Sequence, residues 1–171
     1  MALLDIKVYG DPVLRKVAEP VTEFGPELEK LAADMLETME KGDGIGLAAP
    51  QVGLSIRFLV IGLPEEVDGE RTMRILTMAN PEIVAESEEL ATCEEGCLSL
   101  PEINVQVDRP EAVTVEYQDL KGEKRVLEAE GMLAVVVQHE MDHLDGVLIT
   151  DYLPPLKRTL MRGKLKKLSE Q

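Results

Sequence analysis

Glu130-Gly131-Met132-Leu133-Ala134-Val135-Val136-Val137-Gln138-His139-Glu140-Met141-Asp142-His143-Leu144 is the stretch on which the reading of this 171-residue chain turns. Leu133, Val136, Val137 and Met141 recur at three- and four-residue steps with no breaker beyond Gly131, so the period predicts a helix. Asp145-Gly146 ends it, and Gly146 suits a left-handed cap. The chain's two histidines, His139 and His143, stand four apart on it. That spacing puts both imidazoles on one face, one turn apart, able to converge on one ion. Glu140 follows the first histidine and can reach a metal-bound water, whose pKa the metal lowers toward about 7. The apolar run Met132–Val137 holds the pair inside a core.

A catalytic site normally has three protein ligands and one open position. No third histidine exists, and the downstream acids Asp145, Asp151 and Glu170 sit on turns or in the terminal tail. This argues against a metalloprotease, which would draw its third ligand from downstream. Upstream, Glu95-Gly96-Cys97-Leu98-Ser99-Leu100-Pro101 offers a thiol between a glycine and a proline-closed extended segment. A free cysteine is more often a small buried hydrophobe, but beside an incomplete histidine pair Cys97 is the economical third ligand. Cys93, four residues earlier, shares a strand face with Glu95 and Cys97. A closed, non-catalytic structural site using both cysteines stays open, although it leaves Glu140 no water to activate. In Gly44-Ile45-Gly46-Leu47-Ala48-Ala49-Pro50-Gln51-Val52-Gly53, small residues permit close backbone approach of a substrate strand. Gln51 there can aim a side-chain N–H at a developing oxyanion, but taken alone the stretch, with no phosphate-loop Lys-Ser/Thr signature, reads first as a tight glycine-rich loop.

Outward from these segments, Leu28, Leu31, Met35 and Met39 predict a helix over Pro26–Lys41, stopped by Gly42-Asp43-Gly44. Ile56–Leu63 reads as a buried strand and Pro64–Arg74 as a polar surface loop. From Ile75 to Leu127, β-branched stretches such as Val113-Thr114-Val115 alternate with turns such as Leu120-Lys121-Gly122-Glu123. Pro154-Pro155 opens a last helix carrying Leu156, Leu160 and Leu168. A helix, several mainly antiparallel strands and two further helices make an α+β arrangement. No repeat or linker divides it, so one domain over residues 1–171 is expected.

Composition sets outer limits. The chain is 44% hydrophobic and 30% charged, with no Trp, as in an ordinary globular protein. Its formal charge of -15 repels nucleic-acid phosphates and anionic membranes. No apolar run reaches the ~20 residues of a membrane span, and the first residues lack a basic region before an apolar one, so no targeting segment is expected. Two cysteines are too few for a disulfide framework, so no disulfides and a cytoplasmic location are expected. Residues 152–171 carry a net +5, against -20 for the remainder. A basic terminal helix of this kind is either a solvated face or an interaction surface.

Taken together and in this order, Gly44–Gln51, Glu95–Ser99 and Gln138–His143 closely resemble the motifs of the peptide deformylase family, and the likeness runs from Asp11-Pro12-Val13-Leu14-Arg15 to the final helix. The resemblance implies a partly open antiparallel β structure around a central metal-binding helix, with N-terminal and C-terminal helices. It implies a metal-dependent hydrolase of bacterial type that removes the formyl group from the N-terminal methionine of nascent proteins and releases formate. Cys97, His139 and His143 become the ligands of one divalent ion: Fe2+ by family habit, with Ni2+, Co2+ or Zn2+ as substitutes. A metal-bound hydroxide attacks the formyl carbon, Glu140 acts as general acid/base, and the backbone N–H of Leu98 and the amide of Gln51 hold the oxyanion. The methionine pocket is lined by Ile45, Gly46, Cys93, Met132, Val135, Val136 and His139, braced by a Glu95–Arg109 ion pair. Where some bacterial relatives place a basic residue after Pro101-Glu102, this chain has Ile103-Asn104. The basic helix over residues 155–168 resembles a ribosome-docking element, and its removal is expected to spare hydrolysis of free formyl peptides.

Overall fold

A computed structural model describes residues 3–170; positions 1, 2 and 171 of the expected 1–171 domain lie outside the described residues. Asp11 caps a 3-10 turn over Pro12–Arg15 by accepting from the Val13 N–H. Helix α1 (Pro26–Lys41) has the predicted bounds and ends at Gly42. Then come β1 (Gly46–Ala48), a 3-10 turn at Ala49–Val52, β2 (Phe58–Val67), β3 (Glu70–Glu86), β4 (Leu90–Cys97), β5 (Leu100–Pro110), β6 (Ala112–Gln118) and β7 (Lys124–Glu130). Helix α2 (Met132–Leu144), a 3-10 turn at Ile149–Tyr152 and helix α3 (Pro155–Ser169) complete the chain. Strands β1-β2-β3-β6-β7 form one sheet and β4-β5 a separate pair. Every ladder is antiparallel. The α+β expectation is met.

The expected loop at Pro64–Arg74 is instead the end of a long hairpin. Val67 pairs with Glu70 across Asp68-Gly69, and both turn residues have positive φ, 52° and 82°. Asp-Gly is the dipeptide a two-residue hairpin turn favours, because it matches the right-handed twist of the strands it joins. The arms read as loop because both faces are exposed near the tip, so no apolar alternation marks them.

Helix α2 packs on the five-stranded sheet, with Ala134, Val137 and Met141 against Leu59, Ile61, Met78 and Val115. It starts two residues later than predicted because Glu130 closes β7 and Gly131, at φ 62°, turns the chain. Its last carbonyl, on Leu144, accepts from the Ala18 N–H at 2.8 Å and Arg57 Nη1 at 3.1 Å. Those donors satisfy an oxygen the helix itself cannot. Helix α1 covers β1 and β2 through Leu28, Met35 and Met39.

Helix α3 turns a different face inward than its early leucines suggest. Leu156 and Leu160 are 73% and 75% exposed, whereas Leu165 and Leu168 are buried with Leu14, Leu100 and Ile103. The helix is therefore part of the core behind the Cys97 hairpin. Removing residues 155–171 would uncover Leu14, Leu100 and Ile103 of that core.

Candidate active site

Cys97, His139 and His143 converge: one donor atom from each lies within 4.8 Å of the others. Cys97 Sγ is 3.3 Å from His143 Nε2, close to the roughly 3.5 Å between neighbouring donors on a tetrahedral ion. The histidine rings meet edge to face, with centroids 5.1 Å apart. Cys97 arrives from a hairpin tip. Strands β4 and β5 run in register to Gly96↔Asn104, then slip so that Cys97 pairs with Leu100 across Leu98-Ser99. Gly96 stands at that irregularity, where an added Cβ would fall 2.9 Å from Asn104 Oδ1 and push that side chain aside. Cys93 stays apart from the cluster: its thiol donates to the adjacent Glu94 carbonyl at 3.6 Å. Among the described residues, the metal-ligand group is these three without Cys93, so the closed four-ligand alternative is not assembled.

Glu95 and Arg109 are both buried, and the pair is more than a brace for the pocket. Arg109 Nε and Nη2 donate to Glu95 Oε2 at 2.7 Å and Oε1 at 2.9 Å. Glu95 Oε1 also accepts from His139 Nδ1 at 2.9 Å. A carboxylate only accepts, so Nδ1 carries a proton and Nε2 is the ring nitrogen left facing the ligand cluster. Burial pushes the Glu95 carboxyl up, but the hydrogen bonds from His139 and Arg109 outweigh it and hold the group below its ordinary value. Burial likewise disfavours a charged His139, yet the nearby Cys97, Glu95 and Glu140 pull positive charge onto it and raise its pKa. His143, wholly enclosed and facing the His139 and Arg109 charges, is held neutral. A thiolate and two imidazoles, ringed by further carboxylates, form a donor set that suits one divalent transition-metal ion.

Glu140 lies beside this cluster, with Oε1 3.7 Å from His139 Nε2. Its Oε2 is buried with no hydrogen-bond partner among the described residues. Burial pushes its carboxyl up to about 7, against the pull of His139. That range suits a group that takes and returns a proton near neutrality.

A cleft of about 590 Å3 opens over the cluster. Ile45, Gly46, Cys93, Met132, Val135 and Val136 line it together with Gln51, Glu95, Cys97, Leu98, His139 and Glu140. His143 and the bracing Arg109 are buried and do not line it. Gln51 is set from both ends. Its Oε1 accepts from the Ala48 N–H at 2.9 Å, while Nε2 points to Cys97 Sγ at 3.4 Å and Ser99 Oγ at 3.2 Å. The glycine-rich segment does more than admit a substrate strand. A Cβ on Gly44 meets Leu98 Cδ1 at 2.9 Å, and one on Gly46 meets Glu140 Cγ at 2.9 Å. These glycines let the segment close down on the Cys97 hairpin and on α2.

Sequence reasoning missed Ser99, Asp142 and Tyr152. Asp142 Oδ2 accepts from Arg109 Nη1 at 3.0 Å and from the Tyr152 hydroxyl at 2.6 Å. The place of Asp142 between the two histidines, and of Ser99 at the end of the Glu95–Ser99 motif, were usable signals; nothing local marks Tyr152.

A family model of polypeptide deformylase matches residues 3–159. The peptide deformylase of Acinetobacter baumannii (strain SDF) is 47% identical over 171 residues, covering 100% of this chain and 94% of its own. That of Alkalilimnicola ehrlichii is 50% identical over the same length, covering 93% of its own chain. The solved peptide deformylase of Thermus thermophilus aligns with a TM-score of 0.89 at 45% identity, covering 99% of each chain. The Ehrlichia chaffeensis enzyme in complex with actinonin reaches 0.90 at 39% identity, covering 98% of each. With motifs, fold and a Cys-His-His cluster in agreement, the chain belongs to the peptide deformylase family, metal-dependent hydrolases that remove the formyl group from an N-terminal methionine.

Proposed function

We propose that Cys97, His139 and His143 hold the catalytic ion, and that Glu140, Gln51 and Leu98 carry out the protein's share of deformylation on N-formylmethionyl nascent peptides. The observation that carries this assignment is the buried, unpartnered Glu140 Oε2 beside three convergent donor atoms. The ion, when bound, supplies Lewis-acid chemistry, polarising a carbonyl and acidifying water. Glu140 accepts the proton of the attacking water and delivers it to the departing amine as the formyl carbon–nitrogen bond breaks, freeing formate. One carboxylate serves both steps, as reversibility of the proton path requires. Gln51 Nε2, fixed by Ala48 and Ser99, and the Leu98 N–H donate to the oxygen that gains negative charge. The methionine side chain lies against Ile45, Cys93, Met132, Val135 and Val136, whose apolar surface suits an unbranched thioether. Glu95 acts on this reaction through His139.

The reading takes Fe2+ as the working ion, with Ni2+, Co2+ and Zn2+ as substitutes, and the chain as one cytoplasmic catalytic domain. Ferrous iron beside a partly exposed thiolate is open to oxidation, so nickel substitution is expected to slow the loss of activity in air. Lys157, Arg158, Arg162, Lys166 and Lys167 are exposed on α3 and suit a ribosome-docking surface. Neutralising them tests that role without disturbing Leu165 and Leu168. No described helix is long and apolar enough to cross a membrane.

The central test is Glu140→Gln, assayed anaerobically for formate release from a formyl-methionyl peptide with metal content measured on the same sample. Retained metal with turnover about 10²–10⁴-fold lower is expected. Wild-type turnover in this variant overturns the assignment.

A further inference from the structure

Building on the metal site proposed above, we infer that Tyr152 is a positioning residue of that site, acting on His139 through Asp142, Arg109 and Glu95. The contacts form an unbroken line. Tyr152 donates its hydroxyl to Asp142 Oδ2 at 2.6 Å, and the same oxygen accepts from Arg109 Nη1 at 3.0 Å. The guanidinium carbon of Arg109 lies 5.1 Å from the centre of the Tyr152 ring. Arg109 grips both oxygens of Glu95, and Glu95 Oε1 takes the Nδ1 proton of His139.

Each link constrains the next. His139 turns its Nε2 toward the ligand cluster only while Glu95 Oε1 stays in place. That oxygen is shared with Arg109, so the plane of the guanidinium sets the carboxylate. The guanidinium is held at three places: the fork on Glu95, the bond to Asp142 and the face of Tyr152. Asp142 is the least enclosed of the three charged members, its side chain 24% exposed against 5% and 4% for Arg109 and Glu95. Its one bonded oxygen is aimed by Tyr152 from the other side.

The tyrosine has no competing duty. It belongs to none of the buried apolar clusters and does not line the substrate cleft. It lines a separate groove with Lys157, Leu160 and Met161 at the foot of α3. An effect of Tyr152 on the metal site therefore runs through the hydrogen-bonded line and not through contact with substrate.

The test measures Zn2+ affinity of the metal-stripped full chain by competition with a chromophoric chelator. Direct neighbours of metal ligands typically contribute about 10–100-fold to affinity. Tyr152 is further removed, so Tyr152→Phe is expected to weaken binding by about 3–10-fold. Tyr152→Ala, which also removes the ring from Arg109, is expected to weaken it further. Asp142→Asn should match or exceed Tyr152→Phe, and the double variant should be no weaker than Asp142→Asn alone, because both act through one oxygen. Melting of the metal-free proteins, and KM for a formyl-methionyl peptide in the fully loaded ones, should stay near wild type for Tyr152→Phe. Leu160→Ala, in the same groove but outside the line, should keep wild-type affinity. Wild-type affinity in both Tyr152 variants, or additive effects of Tyr152→Phe and Asp142→Asn, overturns the inference. A wild-type chain that binds no Zn2+ overturns the metal reading instead.

Discussion

Helix α2 buries eleven of its thirteen residues, and four of those, Gln138, His139, Glu140 and His143, are polar. Helix α3 has fifteen residues and buries two, Leu165 and Leu168. On α3 the polar groups face water and need no protein partner. On α2 each buried polar group must find one or cost free energy. Gln138 does so at the Pro110 and Ala134 carbonyls, and His139 at Glu95. Among the described residues, Glu140 Oε2 and His143 Nδ1 are left without one. The contrast marks α2 as the helix whose unpartnered buried atoms sit beside the Cys97 cluster; lack of a partner alone does not mark a site, since Glu37 Oε2 and Thr150 Oγ1 share it.

Four substitutions press on that contrast. The largest effect is expected from Arg109→Met, which leaves Glu95 buried beside α2 without its guanidinium. Breaking a buried pair from one side costs about 3–5 kcal/mol, readable in denaturant unfolding. The pH dependence has a definite sign. Wild-type Glu95 has a lowered folded pKa, so its contribution is full above the ordinary carboxylate range and is lost as pH falls through the lowered value. Without Arg109 the buried carboxylate is uncompensated and its folded pKa rises, so the loss caused by Arg109→Met should be largest near neutral pH and shrink as pH falls and Glu95 takes up a proton.

Leu165→Ala is next, since this leucine joins α3 to Leu100 and Ile103 behind the Cys97 hairpin. A loss of about 2–3 kcal/mol is expected in thermal or denaturant unfolding. Gly46→Ala should cost about 1–2 kcal/mol by overpacking against Glu140 and Val136. It should also lower turnover, because the added methyl displaces the Glu140 side chain; unchanged activity would mean that β1 can yield. Leu160→Ala, on the exposed face of α3, should change stability by less than about 0.5 kcal/mol. A larger loss would show that this face is covered.

The parts of the site legible in sequence were those whose spacing is local. The bounds of α1, the left-handed Gly146 and the shared face of His139 and His143 all follow from neighbours a few residues apart. Gly44 and Gly46 were visible as small residues, but what they approach, Leu98 and Glu140, was not. The hairpin through Asp68-Gly69 was misread because its arms lack a buried face. The choice between Leu156 and Leu165 on α3 was out of reach for a different reason. Both fit a helical period, and only the surface the helix lands on separates them.

By itself, then, the sequence determined the metal-binding helix and its two imidazoles with the carboxylate between them, because helical geometry converts a four-residue interval into a shared face. Tertiary structure brought Cys97, which the sequence offers as third ligand, to 3.3 Å from His143 across 46 positions of chain and left Cys93 out of the cluster. It alone decided that Arg109 is buried rather than solvated, and that Asp142 and Tyr152 close the line to His139. Those outcomes depend on which distant surfaces exclude water from one another, and no local pattern of residues encodes that.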